Sequence, residues 1–135
     1  MRLLIDVNVL LDVLLPRPAH FRDSALLWTL CEIGRAEGYV SALTFANIIY
    51  VMRKELNPEK IDDLQEDLAL VFRFAALEEA DLAKAARMRW NDFEDAVQHA
   101  TAARIQADCI ITRNVRDFGK SEIPALTPTE YLTRM

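Results

Sequence analysis

Glycine and cysteine are scarce in this sequence, with three and two copies among 135 residues. No Gly/Ser-rich stretch, internal repeat or low-complexity segment divides the chain, so residues 1–135 are expected to form a single domain. The two cysteines, Cys31 and Cys109, stand in separate apolar stretches. That excludes a cystine scaffold and predicts two buried thiols in a reducing compartment, hence a cytoplasmic location. Long hydrophobic runs are also missing. The segment Leu10 to Leu15 is broken by Asp12 and ended by Pro16, far short of the roughly 18 apolar residues a membrane span requires. Asp6 interrupts the opening apolar run too early for a secretory signal, and no membrane association is expected. Basic residues are the minority, sixteen against twenty-one acids for a net charge of −5. A protein of that sign does not hold nucleic acid by its overall field and would need a local basic patch or metal ions. Absent, finally, are Gly-x-x-x-x-Gly-Lys-Ser/Thr and Gly-x-Gly-x-x-Gly, the usual nucleotide cradles.

What remains is an ordinary globular composition, 52% hydrophobic and 27% charged, long enough to bury about two-thirds of the surface of the unfolded chain. Leu3-Leu4-Ile5 and Cys109-Ile110-Ile111 are short, wholly apolar runs of the kind found in strands buried on both faces of a parallel sheet. Tyr39-Val40 and Phe74 to Leu77 are weaker strand candidates. Helical periodicity covers Ala25 to Ala36, Phe45 to Leu56, Glu59 to Arg73, Glu79 to Trp90 and Phe93 to Ile105. Asn57-Pro58-Glu59-Lys60 and Thr127-Pro128-Thr129-Glu130 are helix starts, each a capping side chain followed by proline. Strands alternating with helices predict a three-layer α/β/α sandwich around a central, mainly parallel sheet of four to five strands. In such sheets ligands bind beyond the carboxyl ends of the strands.

Acids stand at those ends. Asp6-Val7-Asn8 follows the first apolar run, and Thr112-Arg113-Asn114-Val115-Arg116-Asp117 follows the last. In Asp92-Phe93-Glu94-Asp95-Ala96-Val97-Gln98-His99, the spacing puts Asp92, Asp95 and His99 on one helical face beside the apolar one. Helix capping accounts for Asp92, and Asp6 or Asn8 has the same reading available. Asp12 is expected to be a solvated helix residue, and His99 a surface or packing residue. Acids from three separated segments at one sheet edge nevertheless suit a divalent cation, because hard ions take oxygen ligands and crowded carboxylates need a counter-charge. Two such ions would activate a water and stabilise a leaving oxygen in phosphodiester hydrolysis.

Leu4-Ile5-Asp6-Val7-Asn8-Val9-Leu10-Leu11-Asp12, Asp92 to Ala96 with Ala100 to Ala103, and Ile111 to Phe118 resemble, in this order and spacing, three motifs of the PIN-domain family, the fold of the VapC-like toxin ribonucleases. Pro128 to Leu132 is similar to its final helix. The resemblance implies metal-binding acids at Asp6, Asp95 and Asp117, with Asn114 or Thr112 in support. It implies Mg²⁺ or Mn²⁺ as cofactor and endoribonuclease activity through a metal-activated water, without a covalent intermediate. It further implies an RNA substrate, a homodimer and an antitoxin protein. Ser41 to Tyr50 matches the segment in which the family usually has a glutamate, and there Asn47 stands instead. An amide still offers a carbonyl oxygen, but it carries no charge and cannot act as a base.

Two other function classes compete. A catalytically weakened or inactive module binding RNA or a protein partner is compatible with Asn47; Asn8, Arg113 and Arg116 flank the proposed site, and Arg53-Lys54 adds further phosphate contacts. A receiver-type phosphoryl-transfer domain wants paired acids after the first strand and a lysine just after the last. Asp6-Val7-Asn8 supplies one acid, and Lys120 lies eight residues beyond Thr112, which disfavours it.

Overall fold

Leu3, Leu4 and Ile5 are essentially inaccessible to solvent, and the reason is that the strand they form has a parallel neighbour on each side. A computed structural model describes residues 1–134. Strand β1 (Arg2–Ile5) leads into α1 (Val7–Leu14) and α2 (Phe21–Glu32), then β2 (Glu37–Ser41). Next come α3 (Ala42–Met52), α4 (Pro58–Val71) and β3 (Arg73–Ala75), followed by α5 (Glu79–Met88), α6 (Phe93–Arg104) and β4 (Cys109–Ile111). A single 3-10 turn (Val115–Phe118), β5 (Ala125–Leu126) and α7 (Pro128–Thr133) complete the described chain.

The strands make one five-stranded sheet of order β3-β2-β1-β4-β5, parallel at every pairing. Leu4 stands level with Tyr39 on one side and Ile110 on the other. Alternation along the strands sends Leu3, Ile5, Val40, Cys109 and Ile111 to a core shared with α1 to α4 and α7. Leu4 and Ile110 point the other way, against Ala102 of α6 and Phe118, while Ala85 of α5 packs on Ala96 and Val97. Three layers result, as expected. Each fully buried Leu, Ile or Val contributes about 1.5–3 kcal/mol of transfer free energy.

The strand order fixes where a ligand can bind. From β1 the chain steps outward through β2 to β3, then crosses back to β4 on the other side of β1. Right-handed crossovers in opposite directions put their helices on opposite faces, so a crevice opens between the carboxyl ends of β1 and β4. The predicted caps hold: Asn57 Oδ1 accepts from Lys60 N at 2.9 Å, and Thr127 and Glu130 cap one another's backbone at 3.0 and 3.1 Å. Boundaries moved by a few residues. Helix α2 begins at Phe21 and stops at Glu32 rather than running to Ala36, because Gly34 takes φ +80 and turns the chain into β2. Strand β5, only two residues long and directly after Pro124, carries too little pattern to be read from sequence. Among the described residues no helix is long and apolar enough to cross a membrane.

Candidate active site

The first acid is placed by the end of β1. Asp6 is the N-cap of α1, its Oδ1 accepting from Val7 N at 2.8 Å. Its Oδ2 accepts from Thr112 Oγ1 at 2.8 Å and from Asn8 Nδ2 at 3.3 Å. Capping uses Oδ1 alone. Burial raises the Asp6 carboxyl above its usual range, opposed by donors from Thr112, Val7 and Gln98, and the nearby Asp117 adds to the rise.

Asp95 arrives from α6, whose N-terminus is capped by Asp92 Oδ1 accepting from Asp95 N at 3.1 Å. Ala100 and Ala102 are buried, so the helix lies close to the sheet and holds Asp95 half-buried at its edge. Its carboxyl is pushed up to about 7, first by desolvation and then by the charges of Asp92, Asp6, Asp117 and Glu94. Asp117 stands on the 3-10 turn after β4 and is exposed.

Asp6, Asn8, Asn47, Asp95, Asn114 and Asp117 all line one cleft of about 140 Å³. Thr112 is fully buried beneath it, donating to Asp6 while its Oγ1 accepts from Asn114 N at 3.0 Å. Asn47 reaches the cleft from α3 and is half-buried there. Arg116 lines the adjoining pocket rather than the cleft.

One expectation is corrected. Asp12 is not solvated: it has no exposed surface. Its Oδ2 lies 2.9 Å from Arg113 Nε and 3.4 Å from Ser24 Oγ, and its Oδ1 lies 3.5 Å from Arg17 Nη1. The Arg113 contact is an ion pair outside hydrogen-bond alignment. Arg113 thus turns its Nε toward a buried carboxylate, while the residue also lines a surface pocket with Asn114, Arg116 and Asp117 and donates its backbone N–H to Asn8 Oδ1 at 3.3 Å. His99 is buried, tilted against Trp90 with ring centroids 5.2 Å apart, and accepts from Glu122 N at 3.1 Å, so it is a packing residue. Burial, and next the charge of Lys84, hold it below its ordinary value, and an Nε2 that accepts from a backbone N–H carries no proton.

One member of the site escaped sequence reasoning. Buried Gln98 lines the cleft and ties two helices together, accepting from Ser41 Oγ at 2.6 Å and donating to Thr44 Oγ1 at 2.8 Å. Its position three residues after Asp95, one helical turn along, was the available signal.

The donor set fits a divalent cation. Three carboxylates and three amide carbonyls are hard oxygen ligands, and the repulsion that adds to desolvation in raising Asp95 is what a cation relieves. Among the described residues no three His, Cys, Asp or Glu are already gathered around one point. Sharing an ion thus requires side-chain rotation at Asp95 or Asp117, both of which reach solvent.

A family model described as the PIN domain matches residues 2–116. No curated protein matches the sequence. Among solved structures, the chain is similar to FitAcB from Neisseria gonorrhoeae, with 25% identity, TM-score 0.71, and 94% of this chain and 98% of that one covered. It is also similar to VapBC-1 from nontypeable Haemophilus influenzae, with 17% identity, TM-score 0.70, and 96% and 99% covered. A toxin-antitoxin complex from Klebsiella pneumoniae shares 23% identity at TM-score 0.67, with 93% and 96% covered.

Proposed function

The chain belongs to the PIN-domain family, and from that premise we propose that it is a divalent-metal-dependent endoribonuclease of the VapC type, working as a single domain. The observation that carries this reading is the convergence of Asp6, Asp95 and Asp117, from three separated segments, on one cleft where the strand order reverses. Members of this family are generally dependent on divalent metal. Asp6, Asp95 and Asp117 would hold Mg²⁺ or Mn²⁺, which when bound supplies charge neutralisation and Lewis acidity toward a phosphodiester.

The rest of the work falls to the chain. Thr112 and the Val7 amide fix the Asp6 carboxylate in one orientation, so that it meets its ligand without reorganising. Asn8 and Asn114 border the cleft with amide groups suited to a phosphate oxygen or a water. Desolvation and the neighbouring carboxylates raise Asp95 in the absence of a cation, and the ion it would hold favours its ionised form. Gln98 keeps α3, and with it Asn47, in register with α6.

A second reading has its own support. Asn47 removes one negative charge from the cleft, which lowers affinity for a hard cation and favours a weakened or inactive module that binds RNA or protein. The solved relatives include a toxin-antitoxin complex, and on either reading an antitoxin covering the acids is the expected protein partner, with a homodimer as the working assembly. A calorimetric Mn²⁺ titration of the wild type beside Asp95→Asn and Asn47→Glu, paired with cleavage of total RNA, separates the readings. Saturable binding and cleavage in the wild type, lost in Asp95→Asn, support the ribonuclease. Binding and cleavage gained only in Asn47→Glu support the weakened module, and silence from all three overturns the metal reading.

A further inference from the structure

Beside the acidic cleft lies a second pocket of about 340 Å³ that shares Asp92, Asp95 and Asp117 with it. Its other walls differ in kind: Trp90 on one side, Arg116 and Lys120 on another. The indole is rigidly set. Phe118 packs edge-on to it at 6.0 Å and 78°, and His99 leans on it at 5.2 Å. His99 is in turn fixed by its bond from Glu122 N at 3.1 Å. Arg116 and Lys120 are exposed. Among the described residues neither makes an ion pair, although three carboxylates line the same pocket.

A preformed aromatic wall, two unpaired cations and carboxylate acceptors within one concavity select their ligand. An acidic peptide would leave the carboxylates without a donor, and a basic one would leave Arg116 and Lys120 without an acceptor. An apolar ligand would strand the charges. A nucleotide satisfies all three: its base stacks on an aromatic ring, its amino edge donates to a carboxylate, and its phosphate takes the cations. The volume lies in the range of small-ligand pockets. Because Asp95 and Asp117 belong to both chambers, a chain seated here delivers its neighbouring phosphodiester to the acids.

We propose that the Trp90 pocket is a nucleotide subsite that seats the RNA residue adjoining the cleaved bond, with Arg116 and Lys120 holding its phosphate. This rests on the ribonuclease reading and deepens it. The probe is a 5′-labelled single-stranded RNA hexamer of mixed sequence, titrated with the protein in EDTA and followed by fluorescence anisotropy, so that neither metal nor cleavage enters. Wild type should bind saturably. Trp90→Leu should weaken binding about tenfold, as loss of one stacked base does, and Trp90→Phe should recover most of it. The exposed pair Arg116→Gln/Lys120→Gln should weaken binding and flatten the dependence of log K on log salt by about 1.4, two phosphate contacts on a single strand.

Equal affinity in wild type, Trp90→Leu and the double variant overturns the subsite. If wild type binds Mn²⁺ and cleaves RNA in a separate assay without EDTA, the ribonuclease reading stands without it. No hexamer binding by wild type also overturns the subsite. Uptake of an arginine-rich peptide in its place, lost in Asp92→Asn, would assign the pocket to a protein partner.

Discussion

Replacing Asp12 with asparagine removes a charge that has no solvent of its own. The carboxylate has 0% exposure and stands between Arg113 Nε at 2.9 Å and Arg17 Nη1 at 3.5 Å. Breaking a buried pair by removing one partner costs about 3–5 kcal/mol, because the other is stranded. Here the stranded partners have an escape, since the Arg17 and Arg113 side chains are 40% and 26% exposed and can turn toward water. Asparagine also keeps the volume and can accept from Ser24. The expected loss is therefore about 2–3 kcal/mol. Unfolding entropy of about 2.1 cal/mol/K per residue converts this to a fall in Tm of about 7–11 °C for a chain of this length. Urea denaturation of wild type, Asp12→Asn, Arg113→Met and the double variant should return a coupling of about 1–2 kcal/mol between the two positions. Cleavage should fall as well, because Arg113 N and Asn114 N are the links that hold the loop to Asn8 and Thr112. A loss within about 0.5 kcal/mol of wild type, the range of an unremarkable surface change, would refute the argument.

The Asp95 carboxyl rises from 3.8 to about 7 on folding, so its ionisation opposes folding. Its contribution is most favourable below about pH 4 and is lost as pH climbs through about 7. That span corresponds to about 4 kcal/mol, which solvent screening at a half-buried site reduces to about 1–2 kcal/mol. Asp95→Asn should raise the metal-free Tm at pH 8 and leave it nearly unchanged at pH 4, as scanning calorimetry in EDTA will show, while abolishing cleavage. Asn47→Glu should tighten Mn²⁺ binding on the order of tenfold by restoring a charged ligand and should lower metal-free stability; calorimetric titration and thermal unfolding read the two effects. Gly38→Ala puts a methyl 2.7 Å from Phe72 Cδ1 and 2.8 Å from Cys31 Sγ, both in the packed core, and should cost about 1–3 kcal/mol by urea denaturation.

The parts of the site that sequence reveals are those whose reason is local. Asp6 follows its apolar run directly, Asn114 and Asp117 come within two turns of loop after Ile111, and a polar residue at the end of a buried parallel strand has only the sheet edge to occupy. Asp95 was marked by its neighbours, since small residues one and two turns along pull the helix onto the sheet. Asp12 and Arg113 lie on either side of that boundary. Nothing in the sequence around Arg113 points to Asp12 rather than to the nearer acids Asp108 and Asp117, because the partner sits in α1 and meets it only when β1 and β4 become neighbours. The same holds for Gln98, whose partners Ser41 and Thr44 are more than 50 positions away. Yet a trace was present: Asp12 stands amid Leu10, Leu11, Val13 and Leu14, and an acid inside such a run is either at the edge of the apolar stripe or buried and paired. Arg17, five residues on and within reach at 3.5 Å, is one half of that pair. Pairing with the loop after β4 joins the two strands that bound the crevice, so the carboxylate outside the cleft holds the cleft's two walls together while those inside it push apart.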